Sequence, residues 1–384
     1  MFTAEPVLTV STLMFGIALS LVLYTWVGYP ALLLAASRLH RLRRTVGSFE
    51  PSFSIVVAVH NEETHIAAKL EDCLRFIYPS HLIEILVASD GSNDRTEEIV
   101  KEFAGRDARV KLVATAGRAG KSGAQNLAPE SARGDILLFT DAETRTRPDL
   151  LGQIAQHFVD PRIGLVATVA SFGRPEDAVS RGQSAYWRFE ILLRQLESDL
   201  GILATASGQA FALRRELFRP IPVQFGDDCI VPLDVRLQGF NVVQDPQAMV
   251  WDEMPHTVSG EFRARVRMTA RNWSGILSRP SALNPFRFPA TAWGLISHKF
   301  LRWMTPLFLG TALVSNSFLA IHRKFAWALA AQGGFYLAAL LGAIRWRRRS
   351  ERLFAYPFAF CLANAGFFLG LMKSLRGSRV ITYK

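Results

Sequence analysis

The chain has 384 residues, 49% hydrophobic and 20% charged, with a net charge of +11. A disordered chain would be poorer in apolar residues and a collagen-like one would show a glycine period, so both are excluded. Three cysteines, Cys73, Cys229 and Cys361, lie far apart; they form neither a disulfide framework nor a zinc spacing and suit a reducing compartment.

No charged residue stands between Glu5 and Arg38. A bilayer core takes about 20 apolar residues as helix, so residues 1–37 are expected to form a transmembrane anchor. A cleaved signal peptide fits less well, because Glu5 and no Lys or Arg precedes the run and the run exceeds an h-region. Residues 38–51, with Arg38, Arg41, Arg43 and Arg44, read as a basic cytoplasmic linker under the positive-inside rule.

From 52 to 285 the pattern changes to alternating strands and helices. Apolar runs at Ser54–Val59, Ile83–Ala88, Val110–Val113, Ile136–Thr140 and Gly164–Ala170 read as strands. Glu63–Ile77 and Asn93–Phe103 read as helices between them. This is an α/β pattern, which predicts a mostly parallel sheet covered on both faces.

Beyond it, residues 286–302 read as an interfacial amphipathic segment, with Phe288, Trp293, Lys299 and Arg302. Residues 303–372 hold three apolar runs, Trp303–His322, Phe325–Leu341 and Leu353–Met372, each near spanning length. A basic tail, 373–384, follows. Arg345, Arg347, Arg348, Arg349 and Arg352 separate the last two runs. The positive-inside rule places both basic clusters and the whole middle domain in the cytoplasm, as in a multi-pass protein of the bacterial inner membrane. Four spans would leave the basic tail outside, against that rule, so one C-terminal run is expected to be re-entrant or interfacial. Much of the positive charge sits in these flanks and faces lipid headgroups; no motif for reading bases accompanies it, so nucleic acid is not an expected partner. Polar residues inside the runs are few (Asn316, Gln332, Asn364), which argues against a transporter.

In open α/β sheets ligands bind at the carboxyl ends of the strands. After the first strand comes His60-Asn61-Glu62-Glu63; after the second, Ser89-Asp90-Gly91-Ser92-Asn93-Asp94; after the third, a Gly- and Lys-rich turn, Gly117 to Gly123; after the fourth, Asp141-Ala142-Glu143. Any one of these could be a helix cap or a turn. Four at one edge indicate a site. Asp141 and Glu143 offer hard oxygens suited to Mg²⁺ or Mn²⁺, ions that share phosphate oxygens with a substrate, so a diphosphate ligand is expected. Asp90 is placed to accept from a base or ribose, and Lys121 to lie against the nucleotide. Gly120-Lys121-Ser122 also resembles the end of a P-loop, but Thr115 stands where that loop requires glycine, leaving an NTPase a minor alternative. His60 and His65 lack a third zinc ligand. Arg263 and Arg265 read as a solvated face, and Tyr186 and Trp187 as core or acceptor-groove wall.

The ordered set His60-Asn61-Glu62, Asp90-Gly91-Ser92-Asn93-Asp94, Gly120-Lys121 with Gln125-Asn126, and Asp141-Ala142-Glu143 resembles glycosyltransferase family 2. So do Ser207-Gly208-Gln209 through Arg215, and Gly226-Asp227-Asp228 followed by Leu233, Asp234 and Arg236. The resemblance covers about residues 52–300, and the flanking spans are similar to those of hyaluronan, chitin and cellulose synthases.

The resemblance implies a GT-A fold, an inverting and metal-dependent hexosyl or N-acetylhexosaminyl transfer from a nucleotide-sugar, most readily a UDP-sugar, and Asp228 as general base. Asn61, Glu62, Asp90, Lys121, Asp141 and Arg267 would bind the donor, with Asp141 and Glu143 holding the metal. Gly208, Gln209, Asp227 and Trp273 would lie on the acceptor side. The acceptor would be lipid-linked or a glycan, in cell-surface polysaccharide or glycolipid synthesis.

Two departures stand out. Glu143 replaces the usual second Asp. The Gln-x-x-Arg-Trp of processive synthases is here Ala264-Arg265-Val266-Arg267-Met268, with Trp273 five residues on. Loss of that motif favours single transfer; processive synthesis is the runner-up, and a catalytically inactive nucleotide-sugar-binding subunit a minor alternative.

Overall fold

The structure is a computed structural model that describes residues 4–115, 117–172, 178–252, 257–320, 322–345 and 352–377. Arg347, Arg348 and Arg349 of the basic joint, and Arg379 and Lys384 of the tail, lie outside the described residues.

Ala4–Leu23 (α1), a π-turn at Tyr24–Gly28 and Tyr29–Leu39 (α2) continue one another as helix. Leu13, Ile17, Val27 and Leu32 are exposed. Tyr29, Leu33 and Ser37, four apart and so on one helical face, are buried. An apolar surface with one docked stripe suits a helix in lipid that leans on its own domain. The basic linker is strapped to that domain as well: the Leu42 amide donates to the Asp199 carbonyl at 2.6 Å and the Thr45 amide to Asp160 Oδ2 at 3.3 Å.

The α/β unit then builds up in chain order. Phe53–Val59 (β1), Ile66–Leu74 (α3), Ile83–Ser89 (β2), Thr96–Arg106 (α4), Val110–Ala114 (β3), Gly120–Ser131 (α5) and Ile136–Asp141 (β4) come first. Arg145–Thr146 (β5), Leu150–Ala155 (α6), Ile163–Phe172 (β6), Ala178–Asp199 (α7), Ala210–Arg214 (β7), Asp227–Leu237 (α8), Asn241–Asp252 (β8) and Val258–Leu277 (α9) complete it. One eight-stranded sheet has the order β3-β2-β1-β4-β7-β6-β8-β5. Its first four strands are parallel. β7 then inserts antiparallel between β4 and β6, so the sheet is mixed where the sequence pattern predicts mostly parallel.

The central strands are buried on both faces, hence their continuous apolar runs. Phe53, Ile55 and Val57 enter one core layer with Ile66 and Leu70 of α3; Val56 enters the opposite layer with Ala124 and Ala128 of α5. β5, β7 and β8 have no counterpart in the sequence reading. In β8 the run Gln244-Asp245-Pro246-Gln247 interrupts the apolar pattern, and the pairing of β8 with β6 shifts register at Ala167/Val169.

The C-terminal helices are Pro289–Gly294 (α10), Leu301–Leu319 (α11), Arg323–Arg345 (α12) and Arg352–Leu375 (α13). Within 286–302, Phe286 is fully exposed, whereas Thr291, Ala292, Leu295 and His298 are buried. Among the described residues three helices are long and apolar enough to cross a membrane: Val7–Leu39, Phe325–Ile344 and Phe354–Leu375. α11, expected as a span, is not one of them; it carries Arg302 and Asn316, both buried, and holds the N-terminal helix through the Trp26 Nε1 bond to Thr305 Oγ1 at 3.2 Å.

The third apolar helix differs from the others. Buried residues make up 44% of its apolar window, against 11% in each of the other two. The reason is its seat on α9: a Cβ at Gly366 would stand 2.7 Å from Arg265 Cβ, and one at Gly370 would stand 2.7 Å from Thr269 Cβ. Small residues four apart let two helices approach this closely. Gly370→Leu is therefore expected to part α13 from α9 and lower the melting temperature in detergent, with overpacking of this kind worth roughly 1–3 kcal/mol. An unchanged melting temperature would rule the contact out as a stabilising one.

Candidate active site

The carboxyl ends of β1, β2 and β4 and the start of α8 open on one chamber of about 700 Å³. Its wall includes His60, Glu62, Asp90, Lys121, Asp141 and Glu143 from the strand tips and from α5. It also includes Gly208, Gln209, Asp227, Asp228 and Arg267 from the second half. The tips are bound to one another. Asn61, at a left-handed φ of 57°, accepts from the Asn93 amide through Oδ1 at 2.9 Å. The His60 ring nitrogen Nδ1 lies 2.8 Å from the Asp90 carbonyl. The Asp90 carboxylate accepts from the Ala119 and Gly120 amides at 2.5 and 2.9 Å. It thereby caps α5 and ties the Gly-Lys turn to β2.

Lys121 stands between two acids. Its Nζ is 2.6 Å from Asp141 Oδ1 and 3.2 Å from Asp227 Oδ2. Asp227 also accepts from Gln125 Nε2 at 2.7 Å. Lys121 and Gln125 hold the buried Asp227 carboxyl below the usual range, against the pull of burial. For Asp228 the balance goes the other way: burial and the neighbouring Asp227 charge push its carboxyl up. Two adjacent acids thus divide into an ionised structural one and one with raised proton affinity. The Asp228 main chain is held where its carbonyl accepts from the Ala206 amide at 2.8 Å.

The acids after β4 separate. Asp141 faces Lys121, while Glu143 meets Glu62 and His65; the ligand atoms of these last three lie within 4.8 Å of one another. Two carboxylates and an imidazole are a donor set for a divalent cation of the Mn²⁺ kind. Burial and Asp227 raise the Asp141 carboxyl despite Lys121, a surplus that a cation beside it would relieve. His65 has no metal role in the sequence reading, because its partners come from two different loops.

Other positions depart from the sequence expectations. Trp273 is packed in a core of Phe300, at 4.5 Å between ring centroids, and Trp303, at 6.0 Å, and it does not line the chamber. Trp303 does. Arg265 is no solvated face: it is buried, pairs with Glu261 at 2.5 Å and stacks on Tyr186 at 3.7 Å. The chamber also reaches residues that the motifs do not flag, Glu190 and Arg194 of α7, Lys299, and Phe367 of α13. α7 carries charged and polar residues along its whole length, so local sequence did not single out Glu190 or Arg194.

Residues 54–221 match the family model of glycosyl transferase family 2. Over 236 residues the chain is 28% identical to a probable glycosyltransferase, YdaM, of Bacillus subtilis, covering 58% of this chain and 55% of that protein. Over 197 residues it is 27% identical to a beta-monoglucosyldiacylglycerol synthase of Nostoc, covering 50% of this chain and 42% of that protein. The chain thus spans about half the length of these relatives. Among solved structures, the mannosyltransferase PcManGT from Pyrobaculum calidifontis superposes with a TM-score of 0.72 at 23% identity, over 95% of this chain and 99% of that one. The fold is therefore GT-A, with the apolar helices included in the match.

Proposed function

We propose, on the premise that this is a glycosyltransferase family 2 protein with a GT-A domain, that it is a membrane-bound inverting enzyme. It would move one sugar from a nucleotide-sugar to the hydroxyl of a lipid-linked or glycan acceptor, with the domain on the cytoplasmic face. The observation that carries this is a chamber that joins the strand tips and Asp228 to Phe367 of the apolar helix α13 and to Trp303 of α11. A donor enters from one end and a membrane-borne acceptor from the other.

Asn61, Glu62 and Asp90 build the nucleoside end. Lys121, Asp141 and Arg267 surround the diphosphate. Asp228 takes the proton from the acceptor hydroxyl as it attacks the anomeric carbon in line, and the nucleoside diphosphate leaves from the opposite face. General-base help of this kind is worth roughly 10²–10⁴-fold. A divalent cation, held by Glu143 with Glu62, His65 or Asp141, would offset charge on the leaving diphosphate. The PcManGT structure was solved with GDP-Man and Mn²⁺, which supports a nucleotide-sugar and a divalent ion here without choosing the base.

The test is release of nucleoside diphosphate by detergent-purified protein from a panel of UDP- and GDP-sugars. Turnover is expected from one donor, with the product extended by one sugar; long products would instead identify a processive synthase, and no binding of any donor would overturn the reading. Chelation by EDTA is expected to lower turnover at least tenfold, and added Mn²⁺ to restore it.

A second expectation concerns pH. Because Asp228 must be ionised to act and its carboxyl is raised, the rate is expected to fall as pH drops, with its acid limb above the usual carboxylate range. A limb at or below about pH 4, the ordinary value, would contradict the assignment.

A further inference from the structure

The chamber carries a charge that no described residue answers by a hydrogen bond. Arg194 lines the chamber and is 2% exposed. Its Nε and Nη2 are buried without a hydrogen-bond partner among the described residues. The acids one turn away on α7 are already engaged. Glu190 pairs with Lys299 Nζ at 2.6 Å, with His298 Nε2 at 3.1 Å and with Arg302. Glu197 accepts from the Tyr29 hydroxyl at 2.7 Å and lies 2.7 Å from His298 Nδ1. Glu190 and Glu197 are thus taken by His298, Lys299, Arg302 and Tyr29, and neither pairs with Arg194. Thr205 Oγ1 belongs to another residue lining the chamber and is likewise buried without a hydrogen-bond partner among the described residues.

A guanidinium out of water without a counter-ion is costly, and its planar fork matches the oxygens of phosphate. An apolar groove of about 500 Å³ adjoins the chamber and shares Tyr186, Glu261 and Arg265 with it. It is walled by membrane-helix residues, among them Trp26, Phe335 and Phe360. The Arg194 guanidinium and the Asp228 carboxylate therefore line one chamber, and the apolar groove opens off its wall at Tyr186, Glu261 and Arg265.

Resting on the glycosyltransferase reading above, we infer that the acceptor is a phosphate-bearing lipid: its chain lies in the apolar groove, its phosphodiester or diphosphate on Arg194 and Thr205, and its headgroup hydroxyl toward Asp228. Neutral diacylglycerol lacks the group that Arg194 requires.

The experiment measures lipid binding to the detergent-purified full chain by native mass spectrometry, comparing dioleoylphosphatidylglycerol with dioleoylglycerol. Phosphatidylglycerol is expected to bind at least tenfold tighter. Arg194→Met is expected to erase that preference, Arg194→Lys to keep part of it, and Thr205→Val to weaken it. Arg194→Met is also expected to raise the melting temperature of the lipid-free protein, since it removes an unanswered buried charge; a purely structural arginine would lower it. Equal binding of the two lipids, a preference untouched in Arg194→Met, or a lowered melting temperature would each overturn the inference. Inorganic phosphate, titrated as a competitor, separates the two sources of the anion: if it binds at Arg194 with no lipid preference present, the lipid assignment falls. Donor binding by the unaltered protein, measured by calorimetry, is independent of all these arms. Its failure would strike the glycosyltransferase reading, whereas lipid selectivity speaks to the acceptor alone.

Discussion

Asp228→Asn is expected to lower the transfer rate by roughly 10²–10⁴-fold while nucleotide-sugar affinity stays within about twofold. The amide keeps the shape of the carboxylate and cannot take a proton. Its backbone anchor, the Ala206 amide on the residue 228 carbonyl, does not involve the side chain, so the site should remain assembled. Burial and Asp227 raise the Asp228 carboxyl; an uncharged side chain here relieves that repulsion and should not destabilise the fold.

Asp227→Asn makes the contrast. It takes the charge away from Lys121 and Gln125, and breaking a buried pair costs about 3–5 kcal/mol. That variant should lose stability first and activity as a consequence. Steady-state kinetics with thermal melts on both variants separates the roles; an Asp228→Asn enzyme retaining more than a tenth of the rate would remove the base from the mechanism.

Gly226→Ala carries the second large effect. Gly226 precedes α8 with an ordinary extended backbone, φ −78° and ψ 129°, so its need for glycine is one of space. A Cβ there would come within 2.3 Å of Asn272 Oδ1 and 2.6 Å of Asp228 Oδ1. Both atoms would have to move, and one of them is the proposed proton acceptor. Misplacing a reacting group by about 1 Å can cost 10²-fold in rate. The expected result is a fall of that order in kcat with little change in KM for the donor. The overpacking penalty is roughly 1–3 kcal/mol. If kcat falls no more than threefold, the neighbourhood of Asp228 is softer than the packing implies.

Much of the site was legible from spacing. The four strand-tip motifs did converge on one edge, because parallel strands deliver their carboxyl ends to the same side. Their partners were not legible. Asp90 has its carboxylate on the Ala119 and Gly120 amides, a bond between two loops that only the pairing of β2 with its neighbours creates. His65 joins Glu62 and Glu143 through a fold contact with no trace in local sequence. Trp273 stands on the acceptor side by the family resemblance, yet its place on α9 turns it into the core with Phe300. β8 was missed because its polar interruption breaks the period that marks a strand.

The sequence by itself determined the α/β class, the family resemblance, the apolar helices at both ends and the acidic motifs. Each depends on local composition or on short-range order along the chain. Only the tertiary structure decided that β7 runs antiparallel between β4 and β6 and that α13 seats its glycines on α9. It alone separated Asp227 from Asp228 by giving one of them Lys121, and it left two buried guanidinium nitrogens of Arg194 without a hydrogen-bond partner among the described residues. Those outcomes depend on which side chains meet across long sequence separations, where burial makes every charge and every methyl group count.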